Sequence, residues 1–112
     1  MRPDMMINIT NDAWFGQSAG PWQHLVQAQM RAVEEGLPLM RVANTGITAG
    51  FDSFGRILGQ MGLGRQGVLD LPVPPALPPT LFARFGNLGF FALIFLILGS
   101  AIWIDLSRSI RQ

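Results

Sequence analysis

Between Arg84 and Asp105 lie 20 consecutive residues without a charge, Phe85 to Ile104, and no other stretch constrains the chain so tightly. A helix over the 17 positions from Leu88 to Ile104 measures roughly 26 Å at about 1.5 Å per residue. Phe85 to Asn87 bring it close to about 30 Å, the thickness of a bilayer's hydrocarbon core. A helix apolar on every side belongs in a large core or in a membrane, and composition separates the two. The chain is 49% hydrophobic and 13% charged, against roughly 25% charged in an average soluble domain. With Trp103 near the end, the expectation is a transmembrane helix over 85–104 followed by a tail over 105–112. Arg108 and Arg111 beyond the span, against Arg84 before it, place that tail in the cytoplasm and the preceding domain across the membrane. That orientation requires further membrane helices ahead of Met1.

Composition excludes other classes. A net charge of +1 from singly scattered arginines gives no phosphate-tracking face, so no nucleic acid is expected as a partner. All eight basic residues are arginine and there is no cysteine, which removes a disulfide framework, a thiolate metal site and any amine side chain for catalysis. One histidine among scattered carboxylates shows no ligand spacing, so neither metal nor cofactor is expected. Residues 1–6 lack the apolar core of a signal peptide.

At 112 residues there is room for one small domain ahead of the span. Met5 to Thr10 has strand character and Asn11-Asp12 ends it. The loop Ala13 to Gly20 carries two large aromatics. A helix follows over Pro21 to Glu35, with Trp22, Leu25, Val26, Met30 and Val33 on one apolar stripe. Gly36 caps it in a left-handed conformation and Pro38 forbids its return. Leu39 to Ala43 and Ile47 to Phe51 read as strands around Asn44-Thr45-Gly46. Asp52 to Gly55 reads as a tight turn into Arg56 to Met61, and Gly67 to Leu71 as a weaker strand. Five of the eight prolines fall in 72–79, an extended spacer. The expected organisation is a domain over 1–71, a proline-rich linker over 72–84, the span and the tail. Strand, helix, then several strands make the fold class α/β or α+β, layered and incomplete.

Several residues invite a functional reading beside a structural one. Trp14 and Phe15 line a pocket mouth or plug the layer between strand and helix. Asn11 and Asp12 brace their loop through side-chain-to-backbone bonds or act directly. His24 suggests a general base, yet no Ser or Cys partner is identifiable, which favours a hydrogen-bonded structural histidine. Arg31 and Glu34 form a surface pair or brace neighbouring strands. Asn44, Thr45 and Gly46 support a site from behind or are a turn that needs the permissive backbone of Gly46.

The ordered set Asn8-Ile9-Thr10-Asn11-Asp12-Ala13-Trp14-Phe15-Gly16, Gly20-Pro21-Trp22-Gln23-His24-Leu25, Arg31-Ala32-Val33-Glu34 and Arg41-Val42-Ala43-Asn44-Thr45-Gly46-Ile47-Thr48 closely resembles the bacterial apolipoprotein N-acyltransferase family. That family carries a carbon–nitrogen hydrolase, or nitrilase-like, domain among transmembrane helices, and the resemblance covers essentially the whole chain. It implies a portion of a nitrilase-like α-β-β-α sandwich followed by one transmembrane helix in the inner membrane, with the domain periplasmic. It also implies a cysteine thiolate that takes an acyl chain from a phospholipid and passes it to the N-terminal amine of an apolipoprotein diacylglyceryl-cysteine. A glutamate base and a lysine near the oxyanion complete that site. All three match positions upstream of Met5, so no catalytic residue is assigned here. Trp14 and Phe15 are then assigned to the substrate pocket, and Asn11, Asp12, His24, Asn44, Thr45 and Gly46 to its support. The alternatives are a non-catalytic single-span interaction module and a membrane-tethered amidase of the same superfamily.

Overall fold

The computed structural model describes residues 2–109, with side chains through Ile104. Its centre is a four-stranded sheet in chain order: β1 (Met6–Asn11), β2 (Leu39–Asn44), β3 (Thr48–Phe51) and β4 (Ile57–Met61). β1 and β2 run parallel in the register Asn8↔Arg41 and Asn11↔Asn44. Their connection is helix α1 (Gly20–Glu35), the kind of crossover that parallel strands require. β2, β3 and β4 continue as antiparallel neighbours. The observed architecture is thus a mixed α/β sheet with a helix on one face, in accord with the expected class.

α1 begins with Pro21 in its first turn and ends at Gly36, whose φ of 64° and ψ of 36° complete the left-handed cap. Its contact face differs from the expected stripe. The buried positions are Pro21, Leu25, Ala28 and Ala32, and the two alanines let the helix axis approach the sheet closely. Leu25, Ala28 and Ala32 meet Leu39, Ile47, Ala49 and Phe51 in the core. Trp22, Val26, Met30 and Val33 lie about a third of a turn away at helical spacing and are roughly half exposed. Apolar periodicity alone does not tell a core-facing stripe from a second apolar face, and here small residues mark the core.

The sheet's other face is apolar and open over β1 and β2, where Ile7, Ile9 and Val42 are exposed. Over β3 and β4 it is covered. Gly50 and Gly59 are register partners, and the Leu71 side chain occupies the space that a Cβ on either would need. Leu71 therefore docks by its side chain, and Gly67 to Leu71 is not a strand as expected.

The proline-rich segment is a linker in sequence but a strap in space. The Ser53 hydroxyl donates to the Pro75 carbonyl at 3.1 Å, and the Leu77 amide donates to the Gly36 carbonyl at 2.9 Å. The Thr80 hydroxyl donates to the Glu34 carbonyl, and Arg2 donates to the Glu35 and Leu77 carbonyls. Carbonyls at the end of α1, which lack partners within the helix, are thereby satisfied by the strap and the N-terminus. Thr80 also caps α2 (Leu81–Phe85), accepting from the Ala83 amide at 3.0 Å, and the Arg31 guanidinium lies 5.6 Å from the Phe82 ring centroid.

Helix α3 spans Leu88–Ser109, so the expected tail is helical in its first five residues, while Ile110 to Gln112 lie outside the described residues. From Leu88 to Ile104 every side chain except Ile94 is exposed. Those 17 positions measure roughly 26 Å, short of the ~30 Å hydrocarbon core. Among the described residues no helix is long and apolar enough to cross a membrane, so the expected span is not confirmed.

The hairpin from β3 to β4 turns on Asp52. Asp52 Oδ1 accepts from the Phe54 and Arg56 amides at 2.9 and 2.8 Å, and Oδ2 accepts from Arg56 Nε at 2.6 Å. Burial by itself pushes the Asp52 carboxyl up; these bonds, with the Arg56 charge, outweigh it and hold the group below its usual range. Replacing Asp52 with Ala removes the buried acceptor of the Phe54 and Arg56 amides and of Arg56 Nε and is expected to cost about 1–3 kcal/mol, read from denaturant unfolding of the whole chain in detergent. Because the folded value is depressed, the contribution is present above the unfolded value of about 3.9 and lost as pH falls through the folded value. The parent and Asp52→Ala should therefore converge in acid, and a difference independent of pH would contradict the assignment.

Candidate functional site

Where β1 ends, the chain enters a single 3-10 turn, Ala13–Phe15, and beneath it sits the most polar part of the interior. Asp12 and Arg41 have side chains with no solvent exposure, and Arg41 Nη2 lies 2.7 Å from Asp12 Oδ2. The other guanidinium nitrogens are also committed: Nη1 donates to Asn8 Oδ1 at 2.6 Å and Nε to the Ile47 carbonyl at 3.2 Å. Asn8 and Arg41 are register partners on parallel strands, which puts the amide where the guanidinium needs it. An Arg–carboxylate pair buried this way is tolerated only when such bonds replace the lost water.

His24 closes the arrangement from α1. Its Nδ1 lies 2.7 Å from Asp12 Oδ1 and 3.2 Å from Arg41 Nη2. A guanidinium only donates and a carboxylate only accepts, so Nδ1 carries a hydrogen given to Asp12. The approach of Arg41 is then a contact rather than a bond, and Nε2 is the ring nitrogen left toward the groove beside β1. That groove, of about 370 Å³, is lined by Asn8, His24, Met30, Arg31, Glu34 and Arg41, among others.

The turn above is fixed by backbone bonds. The Asp12 amide donates to the Asn44 carbonyl at 3.1 Å and the Phe15 amide to the Asp12 carbonyl at 3.0 Å. Asn11 Oδ1 accepts from the Ala13 amide and from Asn44 Nδ2, each at 3.1 Å. Phe15 leans on α1: its ring meets the His24 ring edge-on at 5.9 Å and 61° and covers Gly20, where a Cβ would collide with it, while 43% of the residue stays exposed. Trp14 turns outward and is 87% exposed. Phe15 thus rests on α1 while Trp14 stands open. A cavity of about 400 Å³ beside the turn is lined by Ala13, Gly16, Gln17, Thr45, Leu63 and Gly64, and neither aromatic is among its walls.

The Asn44-Thr45-Gly46 turn packs under the same carboxylate. Gly46 is buried, and a Cβ there would meet Asp12 Oδ2. The left-handed backbone falls on Thr45, with φ of 56°, so the glycine is required for close approach and not for its backbone freedom. Arg31 bridges Glu34 and Glu35 along α1, both at 2.7 Å, and Arg31 and Glu34 share the groove wall with His24. Asn8 and Arg41 were not singled out as site residues from the sequence. The available signal was strand parity: Arg41 alternates with Leu39 and Ala43 on the core-facing side of β2, where an arginine must find partners. Among the described residues no group of three or more histidines and carboxylates is placed to hold a metal.

Comparison with known proteins defines the class. The carbon-nitrogen hydrolase model matches residues 1–77, and the chain belongs to that family. It is similar to proteins named apolipoprotein N-acyltransferase. The one from Rhodopseudomonas palustris is 54% identical over 97 residues, covering 87% of this chain and 18% of that protein. The one from Bradyrhizobium diazoefficiens is 57% identical over 86 residues, 77% of this chain and 16% of that protein. The chain therefore spans less than a fifth of the length of these curated relatives.

Replacing Arg41 with Met keeps an unbranched stem but removes the guanidinium, leaving the buried Asp12 carboxylate without its charge partner and bonded only to His24. The expected loss is about 3–5 kcal/mol, measured by denaturant unfolding of the whole chain in detergent micelles. A loss below about 1 kcal/mol, the level of a surface pair, would show that the pair is solvated.

Proposed function

We propose that this chain is the C-terminal portion of a bacterial apolipoprotein N-acyltransferase, which moves an acyl chain from a phospholipid to the N-terminal amine of an apolipoprotein. The observation that carries the reading is the 54% identity over 97 residues to a protein of that name, running beyond the hydrolase match at residue 77 into the strap and the apolar helix. The chain supplies the end of the hydrolase domain, not its reacting groups. With neither cysteine nor lysine in its sequence, it has no thiol to form a thioester and no amine to hold an oxyanion. Its contribution is the turn that carries Trp14 beside the buried Asp12–Arg41 pair. Trp14 and Phe15 border the acyl site in this reading, with Phe15 seating the turn and Trp14 reaching out from it.

The same proposal makes α3 a membrane span, with the helical residues after Ile104, up to Ser109, adding to its length. The 20 uncharged positions and the all-round exposure of apolar side chains over 88–104 support it, since an apolar surface on every side of a helix needs a nonpolar surrounding. Arg108 and Arg111 after the span favour a cytoplasmic C-terminus and a periplasmic domain in the inner membrane.

The test is an exchange. The 112-residue chain alone, given phospholipid and a diacylglyceryl-cysteine peptide, is expected to transfer no acyl group. Substituted for the matching segment of the Rhodopseudomonas palustris protein, it should restore N-acylation of that peptide. A chimera that inserts and folds but leaves the peptide unacylated contradicts the proposal, as does a hydroxylamine-labile acyl adduct on the isolated chain. For the topology, a reporter active only outside the cytoplasm and fused after Gln112 of the chimera should stay silent, and a signal there reverses the orientation.

A further inference from the structure

Both ends of the exposed turn converge on one side chain. Asp12, two residues before Trp14, accepts a hydrogen bond from His24 Nδ1 at 2.7 Å. Phe15, one residue after Trp14, lays the edge of its ring on the same imidazole, with centroids 5.9 Å apart. Asp12 is in turn fixed by Arg41, whose side chain is wholly buried, and Gly46 leaves the room for the carboxylate to sit there. Trp14 alone escapes the grip and stands 87% exposed. An exposed tryptophan on an ordinary loop moves independently of its domain; this one rides on a turn clamped from both sides. The wide separation in sequence of Asp12, His24 and Arg41 makes the clamp a tertiary device; Asp12 and Arg41 are wholly buried and His24 is partly exposed.

The geometry points to Asp12, His24 and Arg41 as positioning residues, a latch in which His24 holds the Ala13–Phe15 turn so that Trp14 is presented in one fixed orientation to an apolar ligand chain. The apolar ligand rests on the acyltransferase reading, in which that chain is the acyl group; the fixed presentation does not, and the experiment reads only the presentation.

The measurement is time-resolved fluorescence anisotropy on the whole 112-residue chain in detergent micelles. One form keeps Trp14 as its only tryptophan, through Trp22→Phe and Trp103→Phe. A companion form keeps only Trp22, on α1, through Trp14→Phe and Trp103→Phe. With the latch intact, Trp14 should retain nearly the residual anisotropy of Trp22. His24→Phe keeps a ring against Phe15 but removes the donor to Asp12, and Asp12→Asn replaces one acceptor oxygen by a donor. Each is expected to lower the residual anisotropy of Trp14 to about half, by freeing nanosecond loop motion, while Trp22 is unchanged. His24→Asn, which restores an N–H near the position of Nδ1, should recover most of it. The proposal is overturned if Trp14 keeps its anisotropy in both His24→Phe and Asp12→Asn, or if Trp14 and Trp22 fall together, the mark of general loosening. A His24→Asn form as mobile as His24→Phe overturns it too.

Discussion

Burying a guanidinium beside a carboxylate costs a folding chain several kcal/mol per ion unless each remaining polar atom finds a partner, and much of this domain is arranged around meeting that condition. Arg41 comes from β2, Asp12 from the residue after β1, His24 from α1, Asn8 from the middle of β1 and the Ile47 carbonyl from the residue before β3. Those elements must be in register together before the pair is satisfied. The parallel pairing of β1 with β2 sets Asn8 opposite Arg41, and the loss of a side chain at Gly46 opens the space for Asp12. Moving any of these elements would leave a buried charge without its complement.

The same arrangement separates what is rigid from what is open. Inside, small residues on α1 bring the helix against Leu39, Ile47, Ala49 and Phe51. Outside, Ile7, Ile9 and Val42 on one sheet face and Trp22, Val26, Met30 and Val33 on the helix remain exposed. A monomer seldom leaves apolar surface of this kind uncovered, which agrees with a chain that spans less than a fifth of its relatives. The strap adds the second rigid link, since it completes the end of α1 and then runs directly into α2 and the apolar helix.

Much of the fold was legible because local chemistry and tertiary structure agree. Pro21 and Gly36 bracket α1, and Asp52 with Gly55 fixes the hairpin; each needs only its near neighbours. Where packing decides, the sequence misled. Of the expected stripe Trp22, Leu25, Val26, Met30 and Val33, only Leu25 is in the core, where Ala28 and Ala32 join it. Gly67 to Leu71 has strand composition, yet it docks through Leu71 onto a pair of glycines. The Asn11-Asp12-Ala13-Trp14-Phe15-Gly16 run, notable in the sequence, forms the turn over the buried pair, and His24 reaches that pair from α1. Arg41 was hidden because its partners are 6 to 33 positions away along the chain, and only its core-facing parity on β2 betrayed it. Gly46 was noticed for backbone freedom that falls instead on Thr45.

The central claim is that Asp12 and Arg41 act as one unit that joins the turn, the helix and the sheet. A double-mutant cycle with Asp12→Asn, Arg41→Met and the double substitution, read as unfolding free energies of the whole chain in detergent, tests it most directly. The account predicts a coupling energy of about 2–3 kcal/mol, the upper end for residues in one network. Additive single effects, with coupling below about 0.5 kcal/mol, would contradict it.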